Sequence, residues 1–427
     1  MSSELALAMS ASDYRPRFEA VKSDSVERIL QTVRSHLGAE IAFVGRYIEG
    51  GRRELMYVDS DIDLPVGAGF SEPIEESFCH HILEGRLPEL IHDAADYPLA
   101  QTLPITKILP IGCHFNVPLR LANGDVFGSF CCVSRTVDRS VSQRDMKVLR
   151  AFANLAAEHI EESLGVEEQS ARIEQQINGV LANRSISIVE QPIHELATMR
   201  IMGLECLSRF ADAGQRGPDI WFGEAKSVGR GVELELMAIE QALKTPDRAG
   251  RDVYLSVNAS PEAIISGKVA ALLELHAGRK IVVELTEHER VENFGQLRDA
   301  LREISRYARV AVDDVGAGYA GLRYLVDLSP DLLKLDISLT RNIHRDVARQ
   351  AMAKAIVHFA AAIGSKVVAE GIESGEELLM LKEIGLDYGQ GYHFAAPMLP
   401  EGASKYLDGL QPSGRSGTRL VSCCDNA

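Results

Sequence analysis

Glu205, Asn258, Glu284, the pair Asp313-Asp314 and Glu370 each stand at the end of a short apolar run, spaced 53, 26, 29 and 57 residues apart. In an α/β barrel of about 250 residues a strand arrives about every 30 residues, and chemistry gathers where the strands end. The spacing predicts a metal site assembled around such a barrel, with each long gap holding a further element. The first gap contains an extended helical pattern over 220–244 and a Gly- and Asp-rich insertion at 211–219. The second contains Leu332-Leu333-Lys334-Leu335-Asp336, a strand-like run that brings Lys334 among the same carboxylates. Carboxylate and amide oxygens are the donors that Mg²⁺ and Mn²⁺ favour. No His or Cys pair with zinc-like spacing competes with them.

Eight strands are expected in the C-terminal half, at 186–193, 201–207, 253–257, 280–285, 310–312, 332–335, 366–369 and 391–395. Helical patterns intervene, such as Ile356, Phe359, Ala360 and Ile363 ahead of the stop at Gly364. Alternating strands and helices of this number make a (β/α)₈ barrel.

The N-terminal half has a different rhythm. Val26, Ile29, Leu30, Val33 and Leu37 follow helical spacing, and strands are expected at 41–44, 54–58, 114–121 and 126–133, with a helix over 78–83. Ala122-Asn123-Gly124-Asp125 is a turn signal between the last two strands. A helix then starts near Ser142 and places Met146, Leu149, Phe152, Ala153, Ala156 and Ile160 on one stripe. This is an α+β layer on an antiparallel sheet. The Glu- and Gln-rich stretch beyond Ile160 continues either as a two-chain coil weakened at Gly165 or as a solvated linker helix.

At 427 residues the chain exceeds what one core usually organises. Its net charge of −16 argues against a groove for a nucleic-acid polymer, which needs clustered Lys and Arg. A small anionic ligand stays compatible, because a bound cation inverts the local field. No run reaches the ~18 apolar residues of a membrane span. The start Met1-Ser2-Ser3-Glu4 lacks the basic residues of a signal peptide. A cytoplasmic protein without a membrane partner is expected. Its seven cysteines, an odd number, fit a reducing compartment.

Seven motifs in order, Glu205-Cys206-Leu207-Ser208-Arg209, Asn258-Ala259-Ser260, Glu284-Leu285-Thr286-Glu287, Asp313-Asp314-Val315-Gly316-Ala317-Gly318, Leu333-Lys334-Leu335-Asp336, Glu370-Gly371-Ile372-Glu373 and Gln390-Gly391-Tyr392, resemble an EAL domain. The resemblance spans about 175–408 and implies a TIM-like barrel that hydrolyses cyclic di-GMP to the linear dinucleotide pGpG. A receptor that binds cyclic di-GMP with little turnover is the alternative. The element order of the first half, with Val117-Pro118-Leu119, Gly128-Ser129-Phe130 and Ser142-Gln143-Arg144-Asp145, resembles a GAF domain, which implies a regulatory pocket for a small ligand or none. The expected organisation is an extension over 1–20, a GAF-like sensor over 21–164, a helical linker over 165–182, the barrel over 183–410 and a disordered tail over 411–427, in a homodimer.

The EAL resemblance implies two Mg²⁺ or Mn²⁺ ions per site. It assigns Glu205, Asn258, Glu284 and Asp313 to the first, with Asp313 bridging, and Asp314, Glu370 and Gln390 to the second. On the same resemblance Lys334 would orient the attacking water, with Glu370 a secondary candidate for general base. Arg209 would grip a phosphate oxygen, with Gln191 and Asp336 as further expected substrate contacts. Glu287 and Glu373 would brace loops, and Gly316 and Gly318 would supply a bend beside the ligand. The chain departs from the family pattern in three places: Cys206 for the usual Ala, Val315 and Ala317 for Phe and Thr, and Asp219-Ile220-Trp221-Phe222 for a Pro-Phe-Ile run. Trp221 is either a local anchor or a stacking face for guanine. Cys79-His80-His81 and Cys113-His114 are read as packing rather than as tetrapyrrole or metal sites, because Cys is usually a buried apolar residue.

Overall fold

The computed structural model describes residues 24–211, 216–246, 251–286, 294–316, 325–326 and 328–409. The expected extension over 1–20 and tail over 411–427, together with Glu287, Ala317 and Gly318, lie outside the described residues. The chain divides into two compact units, Met1–Gln169 and Ser170–Ala427.

The first unit is built on a six-stranded antiparallel sheet of strands β1 (Ile41–Ile48), β2 (Arg52–Ser60), β3 (Ser71–Pro73), β4 (Leu90–Ile91), β5 (Cys113–Arg120) and β6 (Val126–Ser134), in the order β3-β2-β1-β6-β5-β4. The short edge strands β3 and β4 lack the length to leave a period-2 signal in the sequence. Because successive side chains of a strand point to opposite faces, Phe115, Val117, Phe130 and Cys132 face one way, and Cys131 and Val133 the other. The first face is covered by the helix Asp24–Leu37 through Val26, Ile29, Leu30 and Val33, and by the start of the helix Gln143–Asn183 through Met146, Leu149, Ala153 and Ile160. Burial of each large aliphatic side chain here stabilises the fold by about 1.5–3 kcal/mol. At the expected turn Gly124 has a φ of +88° and the Asn123 side chain accepts from the Asp125 N–H at 2.9 Å. The helix Gln143–Asn183 is 41 residues long and runs through Gly165 without a break.

In the second unit strands β7 (Ile186–Glu195), β8 (Ile201–Phe210), β9 (Tyr254–Ala259), β10 (Ile281–Leu285), β11 (Arg309–Val315), β12 (Leu332–Leu335), β13 (Lys366–Ala369) and β14 (Tyr388–Gly389) close into a barrel in sequence order. Two expectations need correction. Helices do not separate all eight strands, since β7 and β8 form an antiparallel hairpin and β7 is antiparallel to β14 as well. The connection 196–200 is too short for a parallel crossover, which takes a dozen residues or more, and Met199 turns the chain with a φ of +62°. The eighth strand is β14 rather than 391–395: Gln390 N–H reaches Ala369 O at 2.9 Å, and the chain then turns, with Phe394 N–H on Gly391 O. A Cβ at Gly391 would lie 2.2 Å from the Ile372 backbone, so only glycine permits this close approach. The helical pattern over 220–244 resolves into Pro218–Ser227 and Gly231–Leu243, broken at Gly229 with a φ of +71°.

Inward positions of the barrel form two layers. Ile193, Tyr254, Val282, Ala311, Leu332 and Val368 make an apolar plug. Two residues further along their strands, Ser256, Glu284, Asp313, Lys334 and Glu370 stand above it toward the C-terminal strand ends. The outward residues Leu255, Val257, Val283, Leu285, Val312 and Leu333 pack with the surrounding helices in the main core.

Candidate active site

Strand pairing puts the polar layer side by side: Glu205 is opposite Gln191 on β7 and Ser256 on β9, and Glu284 is opposite Asn258. Lys334, 1% exposed, rises into the centre. Its Nζ lies 2.6 Å from Glu370 Oε1, 2.7 Å from Glu284 Oε2, 3.2 Å from Asp313 Oδ1 and 3.3 Å from Glu205 Oε1. Burial alone would lower the lysine pKa, but the four carboxylates outweigh it and raise it well above the usual value, which favours the ammonium form.

The carboxylates divide by surroundings. Burial opposes ionisation of Glu205, yet Lys334 and the Gln390 amide hold its carboxyl below the usual range. Burial pushes the Glu284 carboxyl well up against the pull of Lys334, with Glu205 and Asp313 adding like charge. Burial likewise pushes Glu370 to about 8, Lys334 opposing and Asp313 and Glu205 reinforcing. One ammonium among these like charges leaves the cluster short of positive charge, the condition under which a divalent cation binds well.

The donor set fits such an ion. Asp313, Asp314 and Glu370 each offer a carboxylate oxygen within 4.8 Å of the others. Asp314 is turned toward them by a left-handed backbone, φ +55°, with its N–H on Asp313 Oδ1 at 3.0 Å. Asn258 Nδ2 is 3.4 Å from Glu205 Oε1. Oxygen donors alone select hard cations.

Other predicted residues have placements of their own. Arg209 lines a cavity of about 460 Å³ with Asn258, Ser260, Phe222 and Glu235, beside the carboxylate layer, and donates to Ser208 O at 2.8 Å. The Gln191 amide bonds Ala395 O at 3.2 Å. The Asp336 carboxylate caps the helix Ile337–Thr340 through Ser338 N–H at 2.9 Å. Glu373 is exposed and pairs with Arg341. Gly316 has a φ of +107°, and a Cβ there would collide with Leu339. Trp221 is buried and stacked on Phe210 at 5.0 Å, with the Arg216 guanidinium 4.3 Å from its ring centroid, so it anchors its helix rather than offering a face to guanine.

Two residues escaped the sequence reading. Ser256 donates to Glu284 Oε1; as the position two before Asn258 on one strand, it was available from the period-2 rule. Glu377 accepts from Asn342 N–H at 2.8 Å, Glu373 N–H at 2.9 Å and Ser374 N–H at 3.0 Å, tying the loop after β13 to the segment after β12. Its signal was the capping box Ser374-x-x-Glu377.

The EAL domain family matches residues 172–397, more than half of the chain. The chain belongs to the EAL family. A GAF domain matches residues 23–161, the sheet unit ahead of the EAL barrel. The probable cyclic di-GMP phosphodiesterase PdeB of Escherichia coli K12 is 28% identical over 69% of this chain and 53% of its own length. Cyclic di-GMP phosphodiesterase NbdA of Pseudomonas aeruginosa is 30% identical over 54% of this chain and 31% of its own. The chain therefore spans about half or less of these relatives. A solved EAL domain protein of Listeria monocytogenes EGD-e is 26% identical with a TM-score of 0.50, covering 56% of this chain and 98% of that one. No helix among the described residues is long and apolar enough to cross a membrane.

Proposed function

We propose that this EAL protein hydrolyses cyclic di-GMP to pGpG with two Mg²⁺ or Mn²⁺ ions per site, under control of its GAF domain. The observation that carries the reading is the carboxylate layer around Lys334 at the C-terminal ends of the barrel strands. Glu205, Asn258, Glu284 and Asp313 would hold one ion, and Asp313, Asp314 and Glu370 the other, with Gln390 reaching the second ion or its water. When bound, the ions supply charge neutralisation on the phosphate and an acidified water.

The protein's own groups supply the rest. Lys334 presents a fixed ammonium to the water and the developing charge. Gln390 and Asn258 hold Glu205 in orientation. Arg209 offers a guanidinium at the rim of a cavity whose volume lies in the range of small-molecule sites. Gln191 and Asp336 are further candidate contacts, Glu373 with Glu287 would brace the loops, and Gly316 with Gly318 would supply the bend beside the substrate.

Single-turnover chromatography of cyclic di-GMP with the full chain and Mn²⁺ tests this. The expected product is pGpG, with Ca²⁺ failing to replace Mn²⁺ because its bonds are longer and its geometry looser. Glu205→Ala should lose metal binding and turnover together. Retention of intact nucleotide by the wild-type chain would favour the receptor reading, and undiminished hydrolysis in Glu205→Ala would remove the assigned site.

A further inference from the structure

A second cluster of ligating side chains lies in the GAF unit, where the barrel chemistry has no use for it. Cys79 is in the first turn of the helix Phe78–Leu83, His114 is on β5 and Cys131 on β6. One ligating atom from each lies within 4.8 Å of the others, and the two sulfurs are 3.3 Å apart. All three residues are at most 2% exposed. The sequence neighbours do not take part: His80 Nε2 bonds Arg86, and Cys113 Sγ is directed at Asp138 O. Cys132 points to the opposite face of the sheet.

The surroundings are built for a charged centre. Arg53, itself buried, donates from Nη1 to Cys79 Sγ at 3.0 Å and pairs with buried Glu72 at 2.7 Å. His114 stacks on Phe78 with centroids 4.9 Å apart, which fixes the ring, and its buried Nδ1 has no hydrogen-bond partner. A mostly apolar cavity of about 50 Å³, to which Arg53 and His114 contribute polar groups, adjoins the cluster and has room for one or two water-sized molecules.

We propose that Cys79, His114 and Cys131 form a Cys₂His site for a zinc-class divalent ion, with the fourth position left to a small donor from that cavity. Two thiolates and an imidazole are the donor set of borderline-soft metals. Bonds of about 2.3 Å to sulfur bring two such ligands within 4 Å of each other, near the separation present here. Two thiolates balance a dication while Arg53 balances Glu72, so the buried group sums to zero charge. The Arg53 N–H on Cys79 is the outer hydrogen bond that thiolate ligands commonly receive. Metal uptake releases both thiol protons to solvent.

The test uses the full chain, stripped of metal under reductant and titrated with Co²⁺. One equivalent should produce a thiolate-to-cobalt charge-transfer band, which stoichiometric Zn²⁺ bleaches. The band should vanish in Cys79→Ser and in Cys131→Ser, weaken in His114→Gln and persist in Cys132→Ser. The oxygen donors of the barrel give no such band, so the result is independent of the phosphodiesterase reading. X-ray absorption of the zinc-loaded wild-type chain, which needs no variant to fold, should find two sulfurs and one imidazole nitrogen. An oxygen-only shell, a missing band, its survival in both cysteine variants, or loss of two thiols on mild peroxide with no metal uptake would each overturn the site.

Discussion

Lys334 is a buried cation whose Nζ is within 3.3 Å of four carboxylates, so its removal should show what those charges cost without it. In Lys334→Met the stem volume is nearly kept and the charge is lost. Breaking a buried ion cluster by deleting one partner costs about 3–5 kcal/mol, and denaturant unfolding in chelator should reveal a loss of that order. Glu284 and Glu370, whose carboxyls burial pushes up even beside Lys334, should hold protons in the native variant that the unfolded chain releases near the ordinary carboxylate pKa. The native state therefore binds the excess, and the loss should deepen as pH rises above about 4.5. Mn²⁺ should restore more stability to the variant than it adds to the wild type, while turnover falls roughly 10²-fold or more. Unchanged stability at every pH would reduce Lys334 to a packing residue.

At the scale of elements, what the sequence disclosed follows from how much local pattern each piece carries. Glu205, Glu284, Asp313, Lys334 and Glu370 were legible because each lies in or just after an apolar strand, and a period-2 strand delivers its alternate residues to one place. β14 was misplaced because Tyr388–Gly389 is two residues long, whereas the apolar look of 391–395 comes from a turn held against Ile372. The reversed first strand was readable from the short 196–200 connection. Cys79 and His114 read as packing residues in the sequence, and their meeting with Cys131 was not legible, since a helix turn and two strands bring the three together from distant positions. The loop after β13 depends on Glu377, whose carboxylate accepts three backbone N–H groups. Charged hydrogen bonds contribute about 1.5–3 kcal/mol each, though not additively. Glu377→Ala should lower unfolding stability by ~2 kcal/mol or more and reduce cyclic di-GMP turnover, because Glu370 begins the loop it holds. Thermal melts and initial rates check both; wild-type rates in a destabilised variant would detach that loop from the site.

Among the described residues the two largest apolar clusters lie one on the antiparallel sheet and one around the barrel, and the helix Gln143–Asn183 contributes to both. Its Met146 to Ile160 stripe belongs to the first core, and Ile177 and Val180 to the second. Between these positions the helix exposes Glu162, Gly165, Glu168, Gln169 and Arg172 and buries little apolar surface of its own. Calorimetry of the full chain should therefore resolve two transitions. Mn²⁺ prefers the oxygen donors of the barrel over thiolates, so it should raise one transition only, by about 2.7 kcal/mol of stability at 100 times its dissociation constant. Glu205→Ala should abolish that shift and leave the other transition in place. A single transition that moves as a whole with Mn²⁺ would mean that the helix transmits barrel occupancy to the GAF core.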